Sequence, residues 1–324
     1  MIRSYVFENG NIVGRNLDLD ALRLVRADKG LQVWIDLYDP DSAHAKVILE
    51  QLFEFHPLAI EDCLVENQLP KVDDYGEYLF IVMHAVDYTR GDTFQTSEID
   101  MFLAPDFLIT YHEKDVRSVE WCVDRLEKNA PILSKGVDRI VYRLLDGLVE
   151  NYEPAMAELT ADITSLEDRI FGKDYNDSDV VTDFRDLRRE VSHLRHIIGP
   201  QRDTAYRLSR GEFKQIHTGL LPYFRDVHDA LYRLERRAHN YNEQMMTALD
   251  VYLNRSGYET NEIIKLLTLL TVITTPTLLF GSWYGMNFTD MPMLHYKHGY
   301  LLIGSITLIS TSALVLWMRL KKWL

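Results

Sequence analysis

The sequence predicts an α+β membrane protein: an N-terminal α/β domain, a helical hairpin, and a long stalk helix that continues into the first of two C-terminal transmembrane helices. Three observations carry this. No charged residue lies between Lys265 and Asp290, nor between Lys297 and Arg319, and each run reaches the roughly 20 apolar residues that span a hydrocarbon layer. Up to about residue 115, short β-branched and aromatic runs alternate with turn signals and short helices. Farther on, Val227, Leu231, Leu234, Ala238, Tyr241, Met245, Ala248 and Tyr252 recur at alternating spacings of four and three, a heptad seam that marks helices packing along one another.

Taken in order, residues 32–37, 78–86, 97–103 and 107–111 read as strands, and Asp41-Ser42 caps a helix running to Phe55. From about residue 117 the pattern turns helical. The stretch from Gly172 to Asp179 breaks a long antiparallel hairpin over 137–171 and 180–209. The stalk helix starts near Pro222, a residue suited to a first helical turn. Unbroken to Trp283, it would be on the order of 90 Å long at 1.5 Å per residue. Gly257 and the polar residues 254–261 weaken local propensity and allow a bend or a break there. The expected division is an α/β domain at 1–130, the hairpin at 131–221, the stalk at 222–262, transmembrane segments at 263–284 and 300–319, an outer loop at 285–299 and a basic tail at 320–324.

The 324 residues include 35 basic and 49 acidic ones, a formal charge of −14. Such a body repels nucleic acid and suits cations as partners, although acidity also serves plain solubility. The start of the chain lacks the basic, apolar and small-residue layout of a signal peptide, so the large domain is expected to stay inside the cell. Lys265, Arg319, Lys321 and Lys322 flank the membrane on one side and only Lys297 on the other. The positive-inside rule then puts both termini in the cytoplasm, with the spans in the cell (inner) membrane. Two cysteines, Cys63 and Cys122, need no disulfide in a reducing compartment.

The first membrane helix has two faces. Thr268, Thr271, Thr275, Leu278 and Ser282 form a mostly hydroxyl stripe, and Leu266, Leu269, Ile273 and Phe280 lie about half a turn away. Hydroxyls in a bilayer need partners. Water in a lumen shared by several copies would supply them, and so would carbonyls of the same helix. Two spans cannot enclose a pore, so a pore requires a symmetric ring with this helix inside.

After this helix comes Tyr284-Gly285-Met286-Asn287, then a short loop, one more helix and the ending Lys321-Lys322-Trp323-Leu324. In that position the Gly-Met-Asn signature resembles the CorA family of magnesium transporters. Further segments resemble the family in family order: His56-Pro57-Leu58 with Glu61-Asp62, Pro70-Lys71-Val72, Pro222-Tyr223-Phe224-Arg225-Asp226-Val227, and Leu249-Asp250-Val251-Tyr252-Leu253. The likeness runs from about residue 30 to the end. It implies a funnel-shaped homopentamer, with Asn261, Ile264, Leu267, Thr268, Thr271, Thr275, Leu278 and Ser282 lining a pore and Gly285, Met286 and Asn287 forming its selectivity mouth. Mg²⁺ gives up its water reluctantly, so a ring of neutral amides suits a hydrated ion; Gly285 would permit a tight backbone turn. Two positions depart from the family pattern: Met293 replaces a usual acidic residue, leaving Asp290 as the only carboxylate beyond Asn287, and Thr275 stands where a bulky Met often narrows the pore.

The resemblance also implies that carboxylates between adjacent cytoplasmic domains bind Mg²⁺ and hold the pore shut. By motif match these are Asp62 and Asp226, with Glu61 and Asp146 in second rank. His193 and His196 share a helix face, as polar surface or as transition-metal ligands. No phosphate loop, dinucleotide fingerprint or nucleophile elbow is present in the sequence, which disfavours an ATP-driven pump or an enzyme. The expected activity is Mg²⁺ influx down the electrochemical gradient. Transport of Co²⁺, Ni²⁺ or Zn²⁺ on the same fold is the alternative, kept open by His295 and His298, and a membrane-anchored sensor without conduction is a third reading.

Overall fold

The structure is a computed structural model that describes residues 1–65, 68–87, 95–128, 136–172, 179–288, 291–292 and 296–321. It divides into an N-terminal unit, Met1–Thr247, and a C-terminal unit, Ala248–Leu324. The N-terminal unit opens with strands β1 (Ile2–Glu8) and β2 (Asn11–Arg15), helix α1 (Leu19–Ala27), β3 (Gln32–Tyr38), helix α2 (Ser42–Lys46) and α3 (Pro57–Leu64). Strands β4 (Lys71–Asp74), β5 (Leu79–Asp87), β6 (Gln95–Leu103) and β7 (Phe107–His112) follow. They complete a seven-stranded mixed sheet in the order β2-β1-β3-β7-β6-β5-β4.

Among the described residues the one parallel pairing is β3 with β7, at the middle of the sheet, with Ile35 opposite Ile109. A strand covered on both faces needs little alternation, and β3 is buried from Val33 to Leu37. Val33, Ile35 and Leu37 join a core with Ile48, Leu49, Phe53 and Phe55 beneath α1–α3. The other face is covered by α5 (Val137–Glu150), which buries Ile140, Val141, Leu144, Leu145 and Leu148 at helical spacing and touches β3, β5, β6 and β7. Helix α4 (Arg117–Glu127) packs beside α5. The sequence pattern had left β1, β2, α1 and β4 unassigned. In β1 the apolar run is interrupted by Arg3 and Ser4, and both are buried: Arg3 pairs with the fully buried Asp36 at 2.8 Å, and the Ser4 hydroxyl accepts from the Leu17 amide.

Two helices differ from expectation. Asp41 precedes α2, but its side chain makes no capping bond and instead lies 3.4 Å from His44. Regular α2 gives way to a wide turn over Val47–Leu52, and the left-handed φ of 52° at Glu54 stops it before Phe55. This exit lets Phe53 and Phe55 stack within the core. The helix expected over 137–171 is two, α5 and α6 (Tyr152–Phe171), parted at Asn151. Pro154 explains the break, because it has no N–H for the Glu150 carbonyl and its ring crowds that group.

Helix α7 (Asp179–Ser209) runs back along α6. Helix α8 (Leu221–Tyr284) is continuous through Gly257, without the break that the polar stretch allowed, and α9 (Gly299–Leu320) ends the described fold. Within the N-terminal unit the heptad seam is buried from Val227 to Met245. Tyr241 donates to the Met156 carbonyl of α6 at 3.1 Å, and Arg202 of α7 meets Glu235 at 2.5 Å. The end of α8 and the whole of α9 are long and apolar enough to cross a bilayer. Only 6% of each apolar window is buried, unlike the core helix of a soluble protein.

Candidate functional site

In the N-terminal unit, α3 carries Glu61 and Asp62. His56 and Pro57 start the helix: the imidazole Nδ1 accepts from the Leu58 amide at 3.2 Å, and proline supplies a preset φ at the first helical position. Ala59, Ile60 and Cys63 face the core, leaving Leu58 and Glu61 exposed and Asp62 half-buried. Cys63 lies beside Asp100 of β6, whose carboxyl is raised well above the ordinary range by burial and by Glu98; the Cys63 thiol is raised too, by burial and by Asp100.

Asp62 does not stand alone. Lys71 of β4 donates to Asp62 Oδ2 at 2.5 Å, and the same ammonium lies 2.9 Å from Asp73 Oδ2 and 5.5 Å from the Phe80 ring centre. Partial burial opposes the charge on Lys71, but the hydrogen bonds from Asp62 and Asp73 outweigh it and raise its pKa.

Asp146 and Asp226 belong to a different place, around Tyr142 of α5. The Tyr142 hydroxyl donates to Asp146 at 3.3 Å, Arg143 pairs with Asp146 at 3.1 Å, and the Tyr142 ring packs on Tyr223 and Phe224 at the start of α8. Burial raises the Tyr142 phenol, Asp146 adds to this, and Asp226 contributes a smaller share. Within one chain, then, Asp146 and Asp226 both act on Tyr142, and Asp62 is held by Lys71. Among the described residues no three His, Cys, Asp or Glu side chains are arranged to hold a metal ion.

His193 and His196 line a cavity of the N-terminal unit together with His84, Glu98 and Glu113. His84 Nε2 lies 2.7 Å from the Gln68 carbonyl, which accepts only, so Nε2 carries the proton and Nδ1 accepts from Thr96 at 3.3 Å. The Thr96 hydroxyl in turn accepts from His193 Nε2 at 3.4 Å. Burial lowers the pKa of His84 and of His193. His193 thus joins a hydrogen-bonded chain into the sheet, and both histidines of α7 are exposed, as polar surface would be.

In the C-terminal unit, Ile273, Thr277, Phe280 and Tyr284 of α8 line a groove with Tyr300, Ile303, Gly304 and Thr307 of α9. The stripe Thr271, Thr275, Leu278 and Ser282 lies on the opposite side of α8 and is exposed, as are Asn261, Ile264 and Leu267; Thr268 is half-buried. The threonines bond within their own helix: Thr268 donates to Ile264, Thr271 to Leu267 and Thr275 to Thr271, at 2.7, 2.8 and 2.6 Å. Lumen water is therefore not needed to satisfy these donors. With each proton committed to the backbone, the hydroxyl oxygens offer lone pairs outward, and such a face accepts hydrogen bonds. Pro276, inside this helix, leaves the Val272 carbonyl without its usual donor.

Helix α8 ends at Tyr284, and the next amides continue its turn, Gly285 to Gly281 at 2.9 Å and Met286 to Trp283 at 3.4 Å. The chain turns at Gly285 without a left-handed φ. The smallness of this residue serves close approach, because a Cβ would sit 3.0 Å from the Gly281 carbonyl oxygen. Met286 and Asn287 are exposed. Asp290, Met293 and His295 lie outside the described residues, as does most of the expected basic tail.

Sequence reasoning missed Lys71 and Tyr142 as neighbours of the acidic candidates. The Pro70-Lys71-Val72 segment was visible, but only the pairing of β4 with β5 shows the lysine next to α3.

Comparison with known proteins agrees with this arrangement. The family model described as CorA-like Mg²⁺ transporter protein matches residues 31–322. The YfjQ protein of Bacillus subtilis is 31% identical over 290 residues, covering 90% of this chain and 89% of that one. The cobalt/magnesium transport protein CorA of Thermotoga maritima is 28% identical over 302 residues, covering 92% and 85%. Among solved structures, the complete CorA magnesium transporter of Methanocaldococcus jannaschii superimposes with a TM-score of 0.78 at 19% identity, covering 99% of this chain and 98% of that one. With a family match spanning both the sheet domain and the two apolar helices, this chain belongs to the CorA-like Mg²⁺ transporter family.

Proposed function

We propose that the protein is a homopentameric channel for Mg²⁺ influx, driven by the electrochemical gradient and closed by Mg²⁺ on the cytoplasmic side. The observation that carries the reading is the exposed stripe of α8, whose threonine protons are bound internally while their oxygens face away from α9. A ring of such stripes presents acceptors to the water protons of a hydrated cation, and the stripe ends at the exposed Gly285-Met286-Asn287 turn. Five Asn287 amides would hold the hydrated ion by its water shell at the outer mouth. Both termini lie in the cytoplasm, as Lys265, Arg319 and Lys321 support. At about 2.3 kcal/mol per charge per 100 mV, a divalent ion gains roughly 4.6 kcal/mol on entering a cell held 100 mV negative.

For regulation, Asp62 and Glu61 of one subunit face Asp226 and Asp146 of the next, an oxygen donor set of the kind that suits Mg²⁺. The repulsion among these acids is relieved when the cation is bound, which favours the closed ring. The hard oxygens along the proposed path favour Mg²⁺ over Co²⁺, Ni²⁺ and Zn²⁺, which prefer imidazole and thiolate.

Proteoliposomes loaded with a magnesium-sensitive dye test the reading. Uptake should rise with an inside-negative potential, and Co²⁺, Ni²⁺ and Zn²⁺ should compete to different extents. Flux of Zn²⁺ without Mg²⁺ flux would reassign the substrate, and no ion flux under any potential would leave a sensor without conduction.

A further inference from the structure

Lys71 takes up the carboxylate on which the regulatory reading depends. Its ammonium is 2.5 Å from Asp62 and 2.9 Å from Asp73, so one positive charge serves two acids that would otherwise repel each other. Placement is set by the sheet. Lys71 and Asp73 are alternate residues of β4, opposite Val82 and Phe80 of β5, and so project to the face that α3 covers. The ammonium itself lies over the Phe80 ring, 5.5 Å from its centre, beside α3.

We propose that Lys71 is a built-in counter-ion that sets the Mg²⁺ threshold of the sensing acid Asp62. This rests on the reading of Asp62 as a regulatory ligand. Before Asp62 can turn its full charge to a divalent ion it must give up the ammonium, so binding is an exchange of cations rather than a filling of bare carboxylates. The exchange weakens apparent affinity, which suits a sensor required to respond near the free Mg²⁺ level of a cell instead of staying saturated. The lysine also offsets half of the charge of Asp62 and Asp73 when Mg²⁺ is low, limiting the repulsion that the metal-free state has to bear.

The size of the effect follows from exposure. The side chains of Lys71 and Asp62 are about 30% exposed, and ion pairs so open to water are weak, so the threshold should move by about threefold rather than by orders of magnitude.

The experiment is limited proteolysis of the full-length protein in nanodiscs across a Mg²⁺ titration, reading the midpoint of protection. Lys71→Met keeps an unbranched side chain of similar length and removes the charge; its midpoint should fall about threefold, to lower Mg²⁺. Lys71→Arg keeps the charge and should titrate like the wild type. Asp62→Ala should move the midpoint to higher Mg²⁺. If Asp62→Ala shifts as expected but Lys71→Met does not lower the midpoint, the counter-ion role is overturned and the regulatory reading stands. If Lys71→Arg falls along with Lys71→Met, the effect is one of packing and the counter-ion role is again overturned. If Asp62→Ala leaves the midpoint unchanged, the regulatory reading itself fails and the counter-ion role with it.

Discussion

Thr275 donates its hydroxyl proton to the Thr271 carbonyl at 2.6 Å, so the residue standing where the family often has a bulky Met offers an oxygen acceptor instead of a hydrophobic plug. If this oxygen receives a hydrogen bond from the water shell of a passing ion, Thr275→Val keeps the shape and loses the acceptor. A lost hydrogen bond of about 1 kcal/mol lowers influx about fivefold. Dye uptake in proteoliposomes measures it, and unchanged influx would take Thr275 off the ion path.

At the mouth, Asn287 is exposed beyond the end of α8 and supports no buried packing. Asn287→Ala should therefore abolish Mg²⁺ uptake while the oligomer remains intact by size-exclusion chromatography. Normal uptake by this variant would remove the selectivity ring from the proposed mechanism.

A hydrophobic constriction has to lie elsewhere along the stripe. Leu278 is 68% exposed, and Ile264 and Leu267 are also largely exposed, so rings of these side chains could close a pore by dewetting. Leu278→Ser should leak Mg²⁺ at internal concentrations that silence the wild type. Wild-type silencing of that variant, with a leak in Thr275 variants instead, would move the constriction to Thr275.

The two apolar spans, the heptad seam and the central strands were legible because each is a periodic pattern with a long run to express it. Val227 to Met245 are buried as the spacing required, and the run from Lys265 to Asp290 could belong to little else. What stayed hidden depends on partners distant in sequence. Strand β1 escaped notice because Arg3 and Ser4 look like surface residues until Asp36 and Glu120 are seen to satisfy Arg3. The site candidates came from the family likeness, residue by residue, and no pattern in the chain announced that Lys71 would lie against Asp62. Nor did the hydroxyl spacing say which carbonyls the threonines would choose.

The buried network behind β3 gives the fold a pH dependence. Asp36 accepts from Arg3, from Thr110 at 2.6 Å and from His112 at 3.1 Å, and His112 donates its other proton to the Lys114 carbonyl. Burial pushes the Asp36 carboxyl up, but the bonds from His112, Thr110 and Arg3 leave it below the ordinary carboxylate range. Burial likewise pushes His112 down, and the Asp36 bond overrides this and raises it. The stabilisation from Asp36 is present above its unfolded value of about 4 and is lost as pH falls through the lowered folded one; that from His112 is full below about 6.5 and is lost as pH rises through the raised one. The thermal midpoint of the full-length protein should therefore be highest between about pH 4 and 6.5 and decline on both sides. Asp36→Asn should cost about 3–5 kcal/mol and flatten the profile. A variant with the wild-type pH profile would show that this network does not govern stability.

If Asp62 of one subunit and Asp226 of the next face each other, two opposed effects follow from removing both. The repulsion in the metal-free state disappears, and so does the bridge that a divalent ion would make. At millimolar Mg²⁺ the site is mostly occupied in the wild type, so the loss of the bridge should dominate. Asp62→Ala combined with Asp226→Ala should then abolish the protease protection that added Mg²⁺ gives the wild type. Lys71 sharpens the expectation: without Asp62 its ammonium is left to Asp73 alone, so this corner of α3 and β4 loses the net negative charge that would attract a cation. Asp146 could retain a weak site, since it stays next to Tyr142 whatever happens at α3. Residual protection should therefore appear only at Mg²⁺ well above the wild-type midpoint and vanish when Asp146→Ala is added. Protection of the double variant at the wild-type Mg²⁺ concentration would mean that the chain senses the ion through other residues.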